Sequence, residues 1–319
     1  MHTVSGRWQL GLLLSLTTAF LWGLLPIALK GLLQQMDAIT IVWYRFFSAS
    51  IVVFLFLFIS KRLPSYSAMK GKVGLLLVIT ISGLCLNYVF YQFGLELTTP
   101  SSAQVLIQLA PMLMLLGSLF IFKERFSKLQ WLGFSCFVIG LILFFNLRFG
   151  EIFSQMNGYT LGLIWILIAA VTWAAYALAQ KQLLNNFSSN QIMFMIYLAC
   201  VPLLLPWANP LQAISLNGFG WALLVFCCLN TLIAYGAFAE ALAHWEASRV
   251  SSVLAITPLI TISSMKVLAH YYPDYLVAEP INHLSILGAI LVVIGSAITA
   301  IAGRKRKKVR YPLRPLAKP

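Results

Sequence analysis

The chain has 319 residues, 61% of them hydrophobic and only 9% charged, with a formal net charge of +14. A water-soluble domain carries about 25% charged residues, so this chain belongs in a bilayer. Much of the positive excess stands in short loops and in Arg304-Lys305-Arg306-Lys307-Lys308. There it orients the protein and touches anionic lipid; no folded basic domain accompanies it to suggest nucleic acid.

Apolar runs bounded by Gly, Pro and charge predict ten spans of near-spanning length. The first follows Met1 to Arg7 and covers 10–30; it is too long for a secretory signal and is read as retained. The others cover 39–60, 73–94, 101–122 and 129–147, then 159–180, 191–207, 218–242, 248–270 and 284–302. No soluble domain fits between them, and 150–158 is the one plausible boundary. The expected fold is an all-α integral membrane protein, with units at 1–150 and 151–303 and a basic cytoplasmic tail at 304–319. Cys85, Cys136, Cys200, Cys227 and Cys228 lie inside apolar runs, odd in number and without metal-ligand spacing, so they read as small core residues. No cofactor and no metal are expected.

The basic residues give direction. With the N-terminus inside, the cytoplasmic side holds Arg7, Lys61, Arg62, Lys70, Lys72, Lys123, Arg125, Lys128, Lys181, Arg249 and eight more in the tail, 18 in all. The outer side holds Lys30, Arg148 and Lys266, and Arg45 lies within a span. A bias of 18 to 3 places both termini in the cytoplasm.

The two halves repeat each other. Ala19-Phe20-Leu21-Trp22…Lys30 recurs as Ala170-Val171-Thr172-Trp173…Lys181, and Ser101…Ala110-Pro111 recurs as Ser248…Thr257-Pro258. Glu124…Leu132-Gly133…Val138-Ile139-Gly140 recurs as Glu279…Leu287-Gly288…Val293-Ile294-Gly295. Five spans per copy force the copies to face opposite ways, giving ten transmembrane helices as two inverted five-helix repeats.

These residues resemble the drug/metabolite transporter superfamily, specifically proteins built from two EamA-type repeats. The resemblance runs from about 10 to 302 and rests on Trp22-Gly23, Lys30, Arg45, the stretch from Thr98 to Pro111, and Lys123-Glu124-Arg125 leading into Gly133 and Gly140. Trp173, Lys181, Ala247-Ser248-Arg249-Val250-Ser251, Pro258, Gly288 and Gly295 carry it in the second copy. It implies a central cavity surrounded by spans one, three, four, six, eight and nine, and bacterial inner-membrane export of amino acids, related metabolites or drugs. One departure stands out. Pro258 and Glu279 are farther apart than Pro111 and Glu124, the excess falling around His270-Tyr271-Tyr272-Pro273-Asp274-Tyr275, and Glu279 lacks the Arg that follows Glu124.

Polar groups inside a span are costly, about 2.5–3.5 kcal/mol for a mid-membrane charge, so they are the first candidates for a pathway. Asn87 and Tyr91 share one face of span three, with Tyr88 and Gln92 on the adjacent stripe. Ser101, Gln104, Gln108 and Pro111 form a stripe on span four. Interhelical hydrogen bonding and a substrate cavity both account for such stripes. Trp22, Trp173, Tyr176, Asn230 and Tyr235 complete the substrate-binding candidates; for the two tryptophans an interfacial anchor is the plainer alternative. Pro111 and Pro258 each remove a helical hydrogen bond, serving either as hinges or as simple bends. Arg45, Glu240 and His244 are the candidates for coupling, Glu240–His244 serving equally well as a pair that holds a helix end. Gly133, Gly140, Gly288 and Gly295 suit close helix packing, between the repeats or within a homodimer.

The expected function is therefore a secondary transporter exporting small organic solutes by alternating access. No phosphate-binding loop of a primary pump is present, and no catalytic constellation appears. The alternative is a non-transporting membrane receptor or scaffold, which has no need of a symmetric polar interior. The expected partners are a small-molecule substrate and membrane lipids.

Overall fold

The computed structural model describes residues 7–65, 69–121, 126–154, 156–245, 247–271 and 280–302. The basic tail, Lys123-Glu124-Arg125, and 272–279 with Glu279 lie outside the described residues. Thirteen α-helices follow one another among those described: α1 (Trp8–Leu32), α2 (Ala38–Ile59), α3 (Lys72–Leu97), α4 (Pro100–Leu106), α5 (Leu109–Ile121), α6 (Lys128–Phe144), α7 (Phe149–Ser154), α8 (Gly158–Leu183), α9 (Ser189–Leu204), α10 (Gly218–His244), α11 (Ala247–Leu254), α12 (Thr257–Tyr271) and α13 (His283–Ala302).

Polar residues in the loops fix where these helices begin. Asp37 accepts from the Thr40 backbone at 2.9 Å and from its hydroxyl at 2.6 Å, starting α2. Ser127 with Gln130, and Ser188 with Gln191, form capping boxes at α6 and α9;. Asn157 and Asn217 cap α8 and α10. Each cap thus satisfies one of the backbone donors left over at these starts.

Eight stretches are long and apolar enough to cross a membrane, α4 joined to α5 and α11 to α12 among them. A ninth is gained if α6 is joined across a 50° bend to the residues that follow it. The predicted run 191–207 yields a helix of only 16 residues. Pro202 lies inside it and Pro206 just beyond, and neither can donate the hydrogen bond that would carry the helix on;. The run 129–147 is cut at Phe144, where a 3-10 turn over Asn146–Arg148 takes over.

The helices pack in distinct pairs. α3 lies along α8 and α1 along α10, while α6 pairs with α13 and α2 with α9. At the α6–α13 seam the glycines predicted for packing meet within the chain. A Cβ added to Gly133 would stand 2.9 Å from the Gly295 carbonyl oxygen, and one on Gly140 would stand 2.6 Å from the Val292 nitrogen. Where α3 ends, Lys30 of α1 donates to the carbonyls of Leu95, Glu96 and Thr98 at 2.9, 2.7 and 2.8 Å. A cation there satisfies acceptors that the helix itself cannot and matches the negative end of its dipole. Lys30→Met removes all three bonds. Charged hydrogen bonds contribute about 1.5–3 kcal/mol each, so the thermal midpoint of the detergent-purified variant should fall by several degrees.

Candidate functional site

Spans four and nine are broken at equivalent places. α4 stops at Leu106 and α5 resumes at Leu109; α11 stops at Leu254 and α12 resumes at Thr257. Each break lies just ahead of a proline, Pro111 and Pro258, whose missing N–H would have bonded the carbonyl four residues back. The Ile107 carbonyl instead accepts from the Ala110 N–H at 2.9 Å. The Leu254 carbonyl accepts from the Thr257 hydroxyl. The freed acceptors are satisfied, so each break is a finished piece of structure.

The first break falls within the predicted stripe of Ser101, Gln104, Gln108 and Pro111. At 107–108 the bonding tightens, the Gln108 N–H donating to the Val105 carbonyl at 3.3 Å, so regular α-helical spacing is interrupted there. Ser101 is fully buried. Gln104 accepts from the Tyr91 hydroxyl at 3.3 Å, tying α4 to α3. Gln108 reaches the second break, its Nε2 donating to the Ala255 carbonyl at 3.4 Å. Ala255 is the counterpart of Gln108 in the repeat, so the two breaks touch at matching positions.

A second cluster surrounds Arg45. It is only 4% exposed and stands seven residues from the start of α2, about 10 Å along the axis. Its Nε donates to the Thr231 hydroxyl of α10 at 3.0 Å. The guanidinium carbon lies 4.6 Å from the Tyr88 ring centre on α3. Tyr91, Tyr197, Cys227 and Cys228 lie within its electrostatic reach. Tyr235 and Tyr176 belong to the same group, interacting with Tyr88 and with each other. Tyr176 also donates to the Met193 sulfur at 3.6 Å. The partner expected for Arg45 is thus a hydroxyl and an aromatic face, with no carboxylate among the described residues in ion-pair contact.

Thr231 and Tyr197 were not singled out by the sequence. Thr231 stands four residues before Tyr235, so one polar face of span eight was readable. Tyr197 sits alone in an apolar run, and only the fold brings it to Phe46, 5.6 Å away between ring centres.

Other candidates divide between packing and the interior. Asn87 donates to the Ala169 carbonyl of α8 at 2.8 Å, and Asn230 to the Leu21 carbonyl of α1 at 2.7 Å. Each asparagine locks one long helix pair, and this separates Asn87 from Tyr91, with which it shares a face by spacing alone. Trp22 packs on Tyr235 and Phe238, with ring centres 5.2 and 5.8 Å apart. Trp173 lies 6.1 Å from Tyr176. His244 and Glu240 are 3.0 Å apart in the last turns of α10, with the Glu240 side chain 62% exposed. They stand about 14 Å along α10 from Thr231, well away from Arg45. Among the described residues no group of three or more His, Cys, Asp or Glu is placed to hold a metal ion.

Comparison with known proteins agrees with this architecture. The EamA-like transporter family matches twice, over residues 9–146 and 160–301. The "Uncharacterized inner membrane transporter YhbE" of Escherichia coli (strain K12) is 40% identical over 296 residues, 92% of each chain. An "Uncharacterized transporter" of Haemophilus influenzae is 39% identical over 292 residues, 92% of this chain and 95% of the other. A "Probable amino-acid metabolite efflux pump" of Salmonella typhimurium is 23% identical over 315 residues, 93% and 97% of the two chains. A solved crystal structure matches with a TM-score of 0.60 at 18% identity, covering 93% of this chain and 99% of that one; this likeness concerns the fold alone. The chain is a multi-pass membrane protein with two EamA-like repeats, and it belongs to the EamA-like transporter family.

Proposed function

We propose that the protein is a secondary transporter that exports small organic solutes across the bacterial inner membrane by alternating access. It does so as ten spans in two inverted units, 1–150 and 151–303, with both termini cytoplasmic. The observation that carries this reading is the pair of equivalent helix breaks at Pro111 and Pro258, joined through Gln108 and the Ala255 carbonyl. Discontinuous helices meeting at a repeat interface are where such transporters hold their solutes. The packing supports a two-fold duplication. Exchanging the two copies turns the α3–α8 pair into α10–α1 and the α5–α8 pair into α12–α1, and both members of each exchange are present.

In this reading the two prolines are hinges, and Trp22, Tyr91, Gln104, Gln108 and Tyr235 border the pathway. The name of the Salmonella typhimurium relative supports amino-acid metabolites as one substrate class and export as the direction. Glu240 and His244, hydrogen-bonded to each other at 3.0 Å in the last turns of α10 with Glu240 exposed, suit helix stabilisation better than coupling. The test is counterflow in liposomes holding the purified protein, with amino acids and organic dyes, with and without a pH gradient. Saturable counterflow of at least one organic solute is expected. Counterflow of none would leave the receptor or scaffold reading in its place.

A further inference from the structure

Arg45 carries a positive charge that the described part of the protein does not neutralise. Of the eight acidic residues, Asp37, Glu96, Glu151 and Glu240 are described, and all sit at the ends of helices. Asp37 is engaged with Thr40, Glu151 with Arg148 at 2.6 Å, and Glu240 with His244. The tyrosines around Arg45 are neutral at working pH. Its guanidinium has five N–H donors, and Thr231 is the one hydrogen-bond acceptor that the described residues give it. The Tyr88 ring, 4.6 Å from the guanidinium carbon, offsets part of the charge;. A buried cation is normally paired. One turn along α3 from Tyr88, on the same face, Gln92 is fully buried, and neither of its amide atoms has a hydrogen-bond partner among the described residues;.

We propose that Arg45 anchors a carboxylate subsite: between α2, α3 and α10 its guanidinium takes the carboxylate of an organic mono-anion whose apolar body lies against Tyr88, Tyr91 and Tyr235. The planar fork of free N–H groups matches a planar carboxylate in two parallel hydrogen bonds, which a lysine cannot reproduce. A single cation, with no second one among the described residues that surround it, selects one negative charge. The aromatic rings favour an apolar body over a sugar-like one. This subsite rests on the transport reading and narrows its substrate class from small organic solutes to those bearing a carboxylate.

The test is thermal unfolding of the purified full-length protein with hexanoate, phenylacetate, their primary amides, and sodium chloride at equal concentration. At least one acid should raise the midpoint in a saturable way, while its amide and chloride do not. Arg45→Gln should weaken the acid at least tenfold, and Arg45→Lys should fall between. Equal shifts from acid and amide, a shift from chloride alone, no response to either acid, or an Arg45→Gln protein that keeps the wild-type preference would each overturn the subsite. If Arg45→Gln does not fold, the acid-against-amide comparison on the wild-type protein decides by itself. Counterflow of uncharged and cationic solutes is measured in parallel. If it persists while acid selectivity is absent, the subsite fails and the transporter stands.

Discussion

Gly140→Val should abolish the folded protein or lower its thermal midpoint in detergent by about 6 °C or more. A Cβ at Gly140 would stand 2.6 Å from the Val292 nitrogen, 2.8 Å from the Gly288 oxygen and 3.0 Å from the Leu291 carbonyl carbon. All three are backbone atoms, so no side chain can swing aside; the two helices must part. In lipid there is no hydrophobic drive between helices, and close van der Waals contact is what holds them. Overpacking a well-filled site costs about 1–3 kcal/mol, and parting α6 from α13 also undoes the neighbouring contact of Gly133 with Gly295. The loss should therefore reach or pass the upper end of that range, equivalent to about 6–12 °C at 2–4 °C per kcal/mol. Gly236→Ala is the matched control, since nothing lies within 4 Å of its would-be Cβ. Alanine favours a helix over glycine by about 1 kcal/mol, so this variant should melt at or above the wild type. If Gly140→Val melts with the wild type, the α6–α13 seam is not what holds the two halves together.

That seam was legible because its signal is local and repeated. Glycines seven residues apart fall on one face, and the same pair appears in both copies; only the partner, a helix of the same chain, needed the fold. Pro111 and Pro258 were legible for a similar reason, since proline acts on the carbonyl four residues back whatever surrounds it. What spacing could not foresee is that the α-helical bonding is interrupted at 107–108. Periodicity assumes an unbroken helix, so it placed Gln104 and Gln108 on one stripe. In the structure Gln104 receives Tyr91 while Gln108 reaches Ala255. Arg45 shows the opposite limit. A lone arginine in an apolar run announces that something must meet its charge, but Tyr88, Thr231 and Tyr197 come from three other helices. Their convergence is tertiary, and no window of sequence contains it. The run 191–207 yields a shorter helix than its hydropathy predicts for a narrower reason: hydropathy measures apolar length, and 191–207 is apolar, yet Pro202 and Pro206 end the helix early;.

Replacing both prolines, Pro111→Ala with Pro258→Ala, should lower solute counterflow at least tenfold while leaving the thermal midpoint unchanged or higher. Alanine is favoured over proline by about 3 kcal/mol in a helix interior, and each replacement supplies the N–H that the Ile107 or Leu254 carbonyl now obtains elsewhere. The local gain is stability and the loss is the freedom of two half-helices to pivot. Each break has two residues between its halves, with bonds spanning three residues instead of four: Gln108 to Val105 at 3.3 Å and Ile256 to Val253 at 3.2 Å. Such tighter turns change their dihedral angles at small cost, which suits a hinge. Because Gln108 of one break donates to Ala255 of the other, motion at one is felt at its counterpart. Single replacements should then each reduce counterflow, and the double should not exceed their combined effect by much, as expected of coupled sites. A double variant that transports at the wild-type rate with a raised midpoint would make the breaks bent packing, and the rocking motion would have to be sought between the α3–α8 and α1–α10 pairs.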